Sequence, residues 1–166
     1  MTLPPACRYE YPPHPIGFDY LLNYVVVNMN SIKIVSLPDH KPVMIYGLGG
    51  CTALCIIRFV CGKPTEISMV HSPLTQIIQN TYDTICSEPH EQSTTFKCII
   101  KTPEIYTKTE NGSYIMSTFP FNIPNSTVVQ YSNNEIAGDH TTSTFYCRVV
   151  NDIVQYTNNY GIYQDL

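Results

Sequence analysis

The chain has 166 residues, enough for one domain with a sizeable buried core. Charged residues make up 13%, about half the usual share, and Ser, Thr, Asn and Tyr fill the difference, which favours strands and turns over long surface helices. The net charge of -4, with no Lys/Arg cluster, excludes electrostatic recognition of a nucleic acid, and the longest apolar runs, at 25–27 and 53–57, fall far short of the roughly 20 residues of a membrane-spanning helix.

Residues 1–17 hold Pro4, Pro5, Pro12, Pro13 and Pro15 and read as an extended arm, leaving 18–166 as a single α+β domain. The opening Met1-Thr2-Leu3-Pro4-Pro5 lacks a basic region and an apolar run, so the expected location is cytoplasmic. The seven cysteines then read as reduced thiols and not as a disulfide framework. In residues 18–27, Phe18, Leu21, Leu22, Val25 and Val26 fit a short helix, although the β-branched end also suits a strand. Residues 32–37 are a candidate strand.

Residues 43–46 form a short apolar strand that runs into Gly47-Leu48-Gly49-Gly50-Cys51. Residues 52–60 are apolar on both faces, with Ala53, Cys55, Ile57 and Phe59 on one and Leu54, Ile56 and Val60 on the other. Such a strand is central and covered above and below. Cys61-Gly62-Lys63-Pro64 turns the chain and residues 65–71 run back. Ser72 is expected to cap a helix that starts at Pro73, buries Leu74, Ile77, Ile78, Tyr82 and Ile85, and ends near Cys86.

Beyond Pro89 the pattern is all strand. Residues 95–101 alternate, 105–108 are expected to pair with 114–118 across Asn111-Gly112, and 127–131 and 143–150 follow. The tyrosine-rich tail after Asp152 predicts one more short strand.

The chemistry concentrates at Cys51 and His71. In an antiparallel pair, directly opposed residues point to the same face. If Phe59 opposes Thr65, Cys51 and His71 share a face with an offset of two residues, about 7 Å. If Val60 opposes Thr65, they fall on opposite faces. A thiol with the ordinary pKa of about 8.5 is only a few per cent ionised at pH 7, so an adjacent imidazolium would activate it. Gly49 and Gly50 would let the backbone turn sharply, with the amides of Gly50 and Cys51 facing a developing oxyanion.

Gly47-Leu48-Gly49-Gly50-Cys51, a strand, a turn, Met69-Val70-His71 and a helix together resemble the chemoreceptor glutamine deamidases. More widely they resemble the superfamily holding the catalytic domains of cytotoxic necrotizing factors. The resemblance covers about residues 43–86. It implies a two-sheet mixed β-sandwich flanked by one or two helices, no cofactor, and a protein substrate presenting a glutamine. The implied reaction converts that glutamine to glutamate through a Cys51 thioester, with His71 as acid and base. A primary amine in place of water would make the same site a transglutaminase, and an effector of the toxin type would act in a host cytosol.

Where the chemoreceptor enzymes carry a threonine that orients the histidine, this chain has Ile45. The orienting acceptor is then a backbone carbonyl, as in toxin-type members, or a polar group such as Tyr46 or Ser68. The departure favours a deamidase with a protein target outside chemotaxis.

Two other readings stand beside this one, the first on the same residues. Cys51, Cys55, Cys61 and His71 supply four possible zinc ligands, though without knuckle spacing. A non-enzymatic interaction domain would use the tyrosines and the proline-rich arm as contact surface. Cys86, Cys98 and Cys147 read as packing residues and Cys7 as chemically idle. His14, His40, His90 and His140 read as solvated loop residues, with His140, beside Asp139, an alternative base. The glycine run lacks the Gly-x-Gly-x-x-Gly of a dinucleotide turn and precedes a strand.

Overall fold

A computed structural model describes residues 23–37, 41–132, 143–158 and 161–166. The proline-rich arm, most of the helix expected at 18–27, Cys7, His14, His40 and His140 lie outside the described residues.

Among them the structure is mostly strand with one helix, and two mixed sheets pack face to face in a single α+β sandwich. The first sheet has the order β1-β3-β10-β11-β12: Val25–Val26, Val43–Leu48, Ser143–Val150, Ile153–Thr157 and Tyr163–Asp165. The second has the order β2-β5-β4-β6-β9: Ser31–Ser36, Lys63–Ser72, Thr52–Val60, Thr94–Pro103 and Ser126–Tyr131. Pairing is antiparallel except for β1 with β3 and β6 with β9. Helix α1 (Thr75–Ser87) covers the outer face of the second sheet, and β7 (Tyr106–Lys108) with β8 (Tyr114–Met116) forms a separate small ribbon.

β4 sits at the centre of the second sheet because it is apolar on both faces. Ala53, Cys55 and Ile57 join Ile67, Met69 and Ile99 against Val43, Ile45, Phe145 and Cys147 of the first sheet. Leu54 and Ile56 join Val70, Cys98 and Ile100 beneath Ile78 of α1. Burying each large aliphatic side chain stabilises the fold by about 1.5–3 kcal/mol, so both covers are held by the same strand.

Several expected boundaries shift. Residues 25–26 are a strand, pinned in parallel to Val43 and Met44. The helix starts at Thr75, not Pro73, because Ser72 is still paired with Thr52 at the end of β5. Its hydroxyl accepts the Leu74 amide at 3.1 Å, and Leu74 takes the cap position without a side-chain cap. Ile77 is exposed, so the buried stripe narrows to Ile78, with Tyr82, Ile85 and Cys86 packed alongside. The hairpin expected at 105–118 shortens to Tyr106–Lys108 paired with Tyr114–Met116, with 109–113 as its loop. The tail adds two strands, β11 and β12, where one was expected. No helix among the described residues is long and apolar enough to cross a membrane.

Truncating a residue packed between the sheets should cost far more than truncating one on the open edge of β2. Ile99→Ala is expected to lower the unfolding free energy by about 2–5 kcal/mol and Ile34→Ala by less than about 0.5 kcal/mol. Urea titrations of the two variants check this.

Candidate functional site

The β4–β5 hairpin closes through Cys61-Gly62, both at positive φ (52° and 77°), with Val60 opposite Lys63. A register shift between Arg58 and Phe59 then absorbs one residue, and from Arg58 opposite Glu66 the ladder continues to Ala53 opposite His71. Cys51 precedes Ala53 by two residues, so Cys51 and His71 project from the same face, the one turned towards the first sheet. This is the pairing in which Phe59 would oppose Thr65, reached through a bulge.

Cys51 lies where the chain changes sheets. β3 belongs to the first sheet and β4 to the second, and residues 49–51 make the crossing. Packed sheets stand about 10 Å apart, so three residues suffice only if they are small enough for a sharp bend. The positive φ in this segment falls at Gly47 (75°). A second crossing, residues 27–30, links β1 to β2 at the same end of the sandwich. There Asn30 takes a φ of 61°, the Ser31 amide donates to Asn28 O at 3.1 Å, and the Asn30 amide donates to His71 O at 2.7 Å.

The two crossings meet around the candidate pair. Cys51 Sγ lies 3.7 Å from Met29 Sδ, and the Tyr131 hydroxyl donates to Cys51 O. The His71 ring takes its partner from the other crossing: Nδ1 donates to the Val27 carbonyl at 3.4 Å. The ring's partner is thus Val27 O, and neither ring nitrogen bonds Ile45 O, Tyr46 or Ser68, the last of which alternates to the helix side of β5.

Three features depart from an activated thiolate–imidazolium pair. Cys51 is fully buried, and its sulfur is held in a disulfide whose other half is not among the described residues, against the expectation of reduced thiols throughout. Burial pushes the His71 pKa down to about 4, despite the opposing effect of the Val27 carbonyl, so the ring is neutral at pH 7. No hydrogen bond joins the sulfur to the ring: His71 Nε2 is buried without a hydrogen-bond partner, the one such side-chain atom among the described residues.

A residue that the sequence reading passed over lies on the same face. Ala53 is flanked by His71 on β5 and Lys101 on β6, so the three form a row across the sheet. Lys101 is fully buried, and its Nζ crosses the sandwich to donate to Thr144 O at 3.0 Å. Thr144 occupies the register shift of β10 between Ser143, paired with Leu48, and Phe145. Burial lowers the Lys101 pKa to about 8. An isolated lysine in an alternating strand resembles a surface residue, and only its register against Ala53 reveals otherwise.

The zinc reading does not survive the geometry. Cys51 and Cys61 bracket the nine residues of β4, on the order of 30 Å apart. Among the described residues, no three of His, Cys, Asp or Glu are grouped to hold a metal. Cys98 and Cys147 are buried packing residues and Cys86 is half-buried, while exposed His90 bonds Glu88 O and meets the Phe96 ring edge-on. No family model matches the chain, and no curated protein and no solved structure matches it.

Two stability predictions follow from the buried bases. The folded-state pKa of His71 lies below its unfolded value of about 6.5, so its contribution is complete above pH 6.5 and is lost as the pH falls towards 4. The loss amounts to about 3 kcal/mol, and urea midpoints against pH should show it in the wild type and not in His71→Gln. Lys101→Met removes a buried ammonium and is expected to stabilise the chain at pH 7 by about 1–3 kcal/mol, read from the same titrations.

Proposed function

We propose that the chain is a cysteine-dependent amide hydrolase of the protein glutamine deamidase type, with its nucleophile held in reserve as a disulfide. The observation that carries the reading is the His71 ring. Its Nδ1 proton is committed to the Val27 carbonyl, which leaves the Nε2 lone pair as a neutral, oriented base without a partner. A buried polar atom left unpaired costs about 1–3 kcal/mol, a cost that a packing residue at this position would not carry. The shared face with Cys51 and the sheet-changing glycine segment supply the remaining parts.

The chemistry begins with reduction of the Cys51 disulfide by a dithiol, which is oxidised to its own disulfide. The neutral ring then acts as general base, and no preformed ion pair with His71 is involved. Cys51 Sγ bonds to the carboxamide carbon. The C–N bond breaks as the imidazolium protonates the departing nitrogen, and ammonia leaves. Water attacks the thioester, His71 takes its proton, and the C–S bond breaks to give glutamate and the free thiol. A substrate glutamine must reach a sulfur that is buried in the described state, so reduction has to be accompanied by opening at this end of the sandwich.

A second reading rests on a different observation. β2 is an edge strand with Ile32 and Ile34 exposed, and an open groove of about 390 Å³ runs between it and α1, lined by Ile32, Ile34, Ile77, Thr81 and Ile85. In that reading the domain is a non-enzymatic interaction module, and the Cys51 disulfide is a structural staple.

Ammonia release from glutamine-bearing protein substrates separates the two. Activity should appear only after dithiol treatment and fall at least about 100-fold in Cys51→Ser and His71→Ala. Equal release by wild type and both variants, or none from the reduced wild type across a broad protein panel, discards the enzyme.

A further inference from the structure

We propose that Lys101 supplies the positive charge that stabilises the Cys51 thiolate once the disulfide is reduced. The role rests on the cysteine-hydrolase reading above and answers a problem within it, since a neutral His71 provides no cation to favour ionisation of the sulfur.

The argument starts from charge balance in the sandwich interior. Lys101 is fully buried, its nitrogen has one neutral acceptor in Thr144 O, and no carboxylate pairs with it among the described residues. A buried ammonium without a counter-ion is strongly disfavoured, and a methionine of similar length would fill the same space. Among the described residues, the other titratable groups packed on this face are His71 on β5, Cys55 on β4, Tyr131 on β9, Cys147 on β10 and Tyr156 on β11. None of them is a carboxylate or a second ammonium.

The position matches the sulfur. Lys101 faces Ala53 directly, and Cys51 precedes Ala53 by two residues just beyond the end of the ladder, in the same core between the sheets. Directly opposed and diagonal positions of paired strands lie within reach of long side chains. The Lys101 nitrogen is also anchored at the β10 shift beside Leu48, the last residue of β3 before the segment that carries Cys51. In the oxidised state the row holds a cation and no anion. Reduction followed by loss of the thiol proton creates the missing anion, and the pair then screens both charges inside a low-dielectric interior.

The test uses the full chain after dithiol reduction and needs no substrate. Alkylation of Cys51 by iodoacetamide, followed by peptide mass spectrometry across pH, reads the thiolate fraction. Lys101→Met should move the midpoint up by at least about one pH unit and slow alkylation at pH 7 about tenfold, while Lys101→Arg should retain the wild-type midpoint. Titration of Lys101 by NMR in the unmodified protein supplies a readout that does not need reagent access. Its midpoint should rise on reduction in the wild type and stay put in Cys51→Ser. An unchanged Cys51 midpoint in Lys101→Met, or no response of Lys101 to reduction, overturns the proposal. Absence of ammonia release with both shifts intact would reject the hydrolase and leave the ion pair standing.

Discussion

Everything in the sandwich is referred to one strand whose two faces are both buried. β4 presents Ala53, Cys55 and Ile57 to the first sheet and Leu54 and Ile56 to α1. A strand of this kind has no solvent face to turn outward, so it takes the middle of its sheet and draws a cover to each side. A slip of one residue in its pairing would exchange the two sets of side chains and ruin both interfaces. That stringency fixes the β4–β5 and β4–β6 registers, and these in turn put His71 and Lys101 on the face shared with Cys51.

The same constraint explains why polar groups collect at one end of the core. Among the described residues the crossings at 27–30 and 49–51 both lie there, and a crossing interrupts the ladder hydrogen bonds of both sheets. Side chains take over part of the satisfaction: Tyr131 donates to Cys51 O, His71 to Val27 O and Lys101 to Thr144 O. Two of these donors are bases whose protonated forms burial disfavours. An apolar replacement would satisfy the packing with less cost, and strain of this kind concentrates where a fold serves chemistry.

The oxidation state of Cys51 gives this end of the molecule two electrostatic conditions. With the sulfur in a disulfide it can neither ionise nor attack a carbonyl. Reduction restores a titratable group beside a neutral imidazole and a buried ammonium. On the proposed reading, a neutral imidazole, a thiol and a buried ammonium would then share one face.

Much of the architecture was legible along the chain. The two-faced apolar run of 52–60, the return strand ending at His71, the helix near 75–87 and the strands after Pro89 follow from periodicity and turn residues, which act over a few positions. The helix start escaped that reading, and the choice between helix and strand at 25–26 stayed open in it, because pairing partners distant in sequence decide both. Cys51 and His71 stood out by type and by the neighbouring glycines. Lys101, the Val27 carbonyl and the disulfide at Cys51 did not, since a lysine in an alternating strand, a backbone oxygen and a single cysteine carry no local signature. Sequence determined which segments bury which faces, because hydrophobic pattern is a property of neighbours along the chain. Tertiary structure alone decided which polar atoms meet at the sheet crossings and which are left without partners, because hydrogen bonding and desolvation depend on what arrives through space.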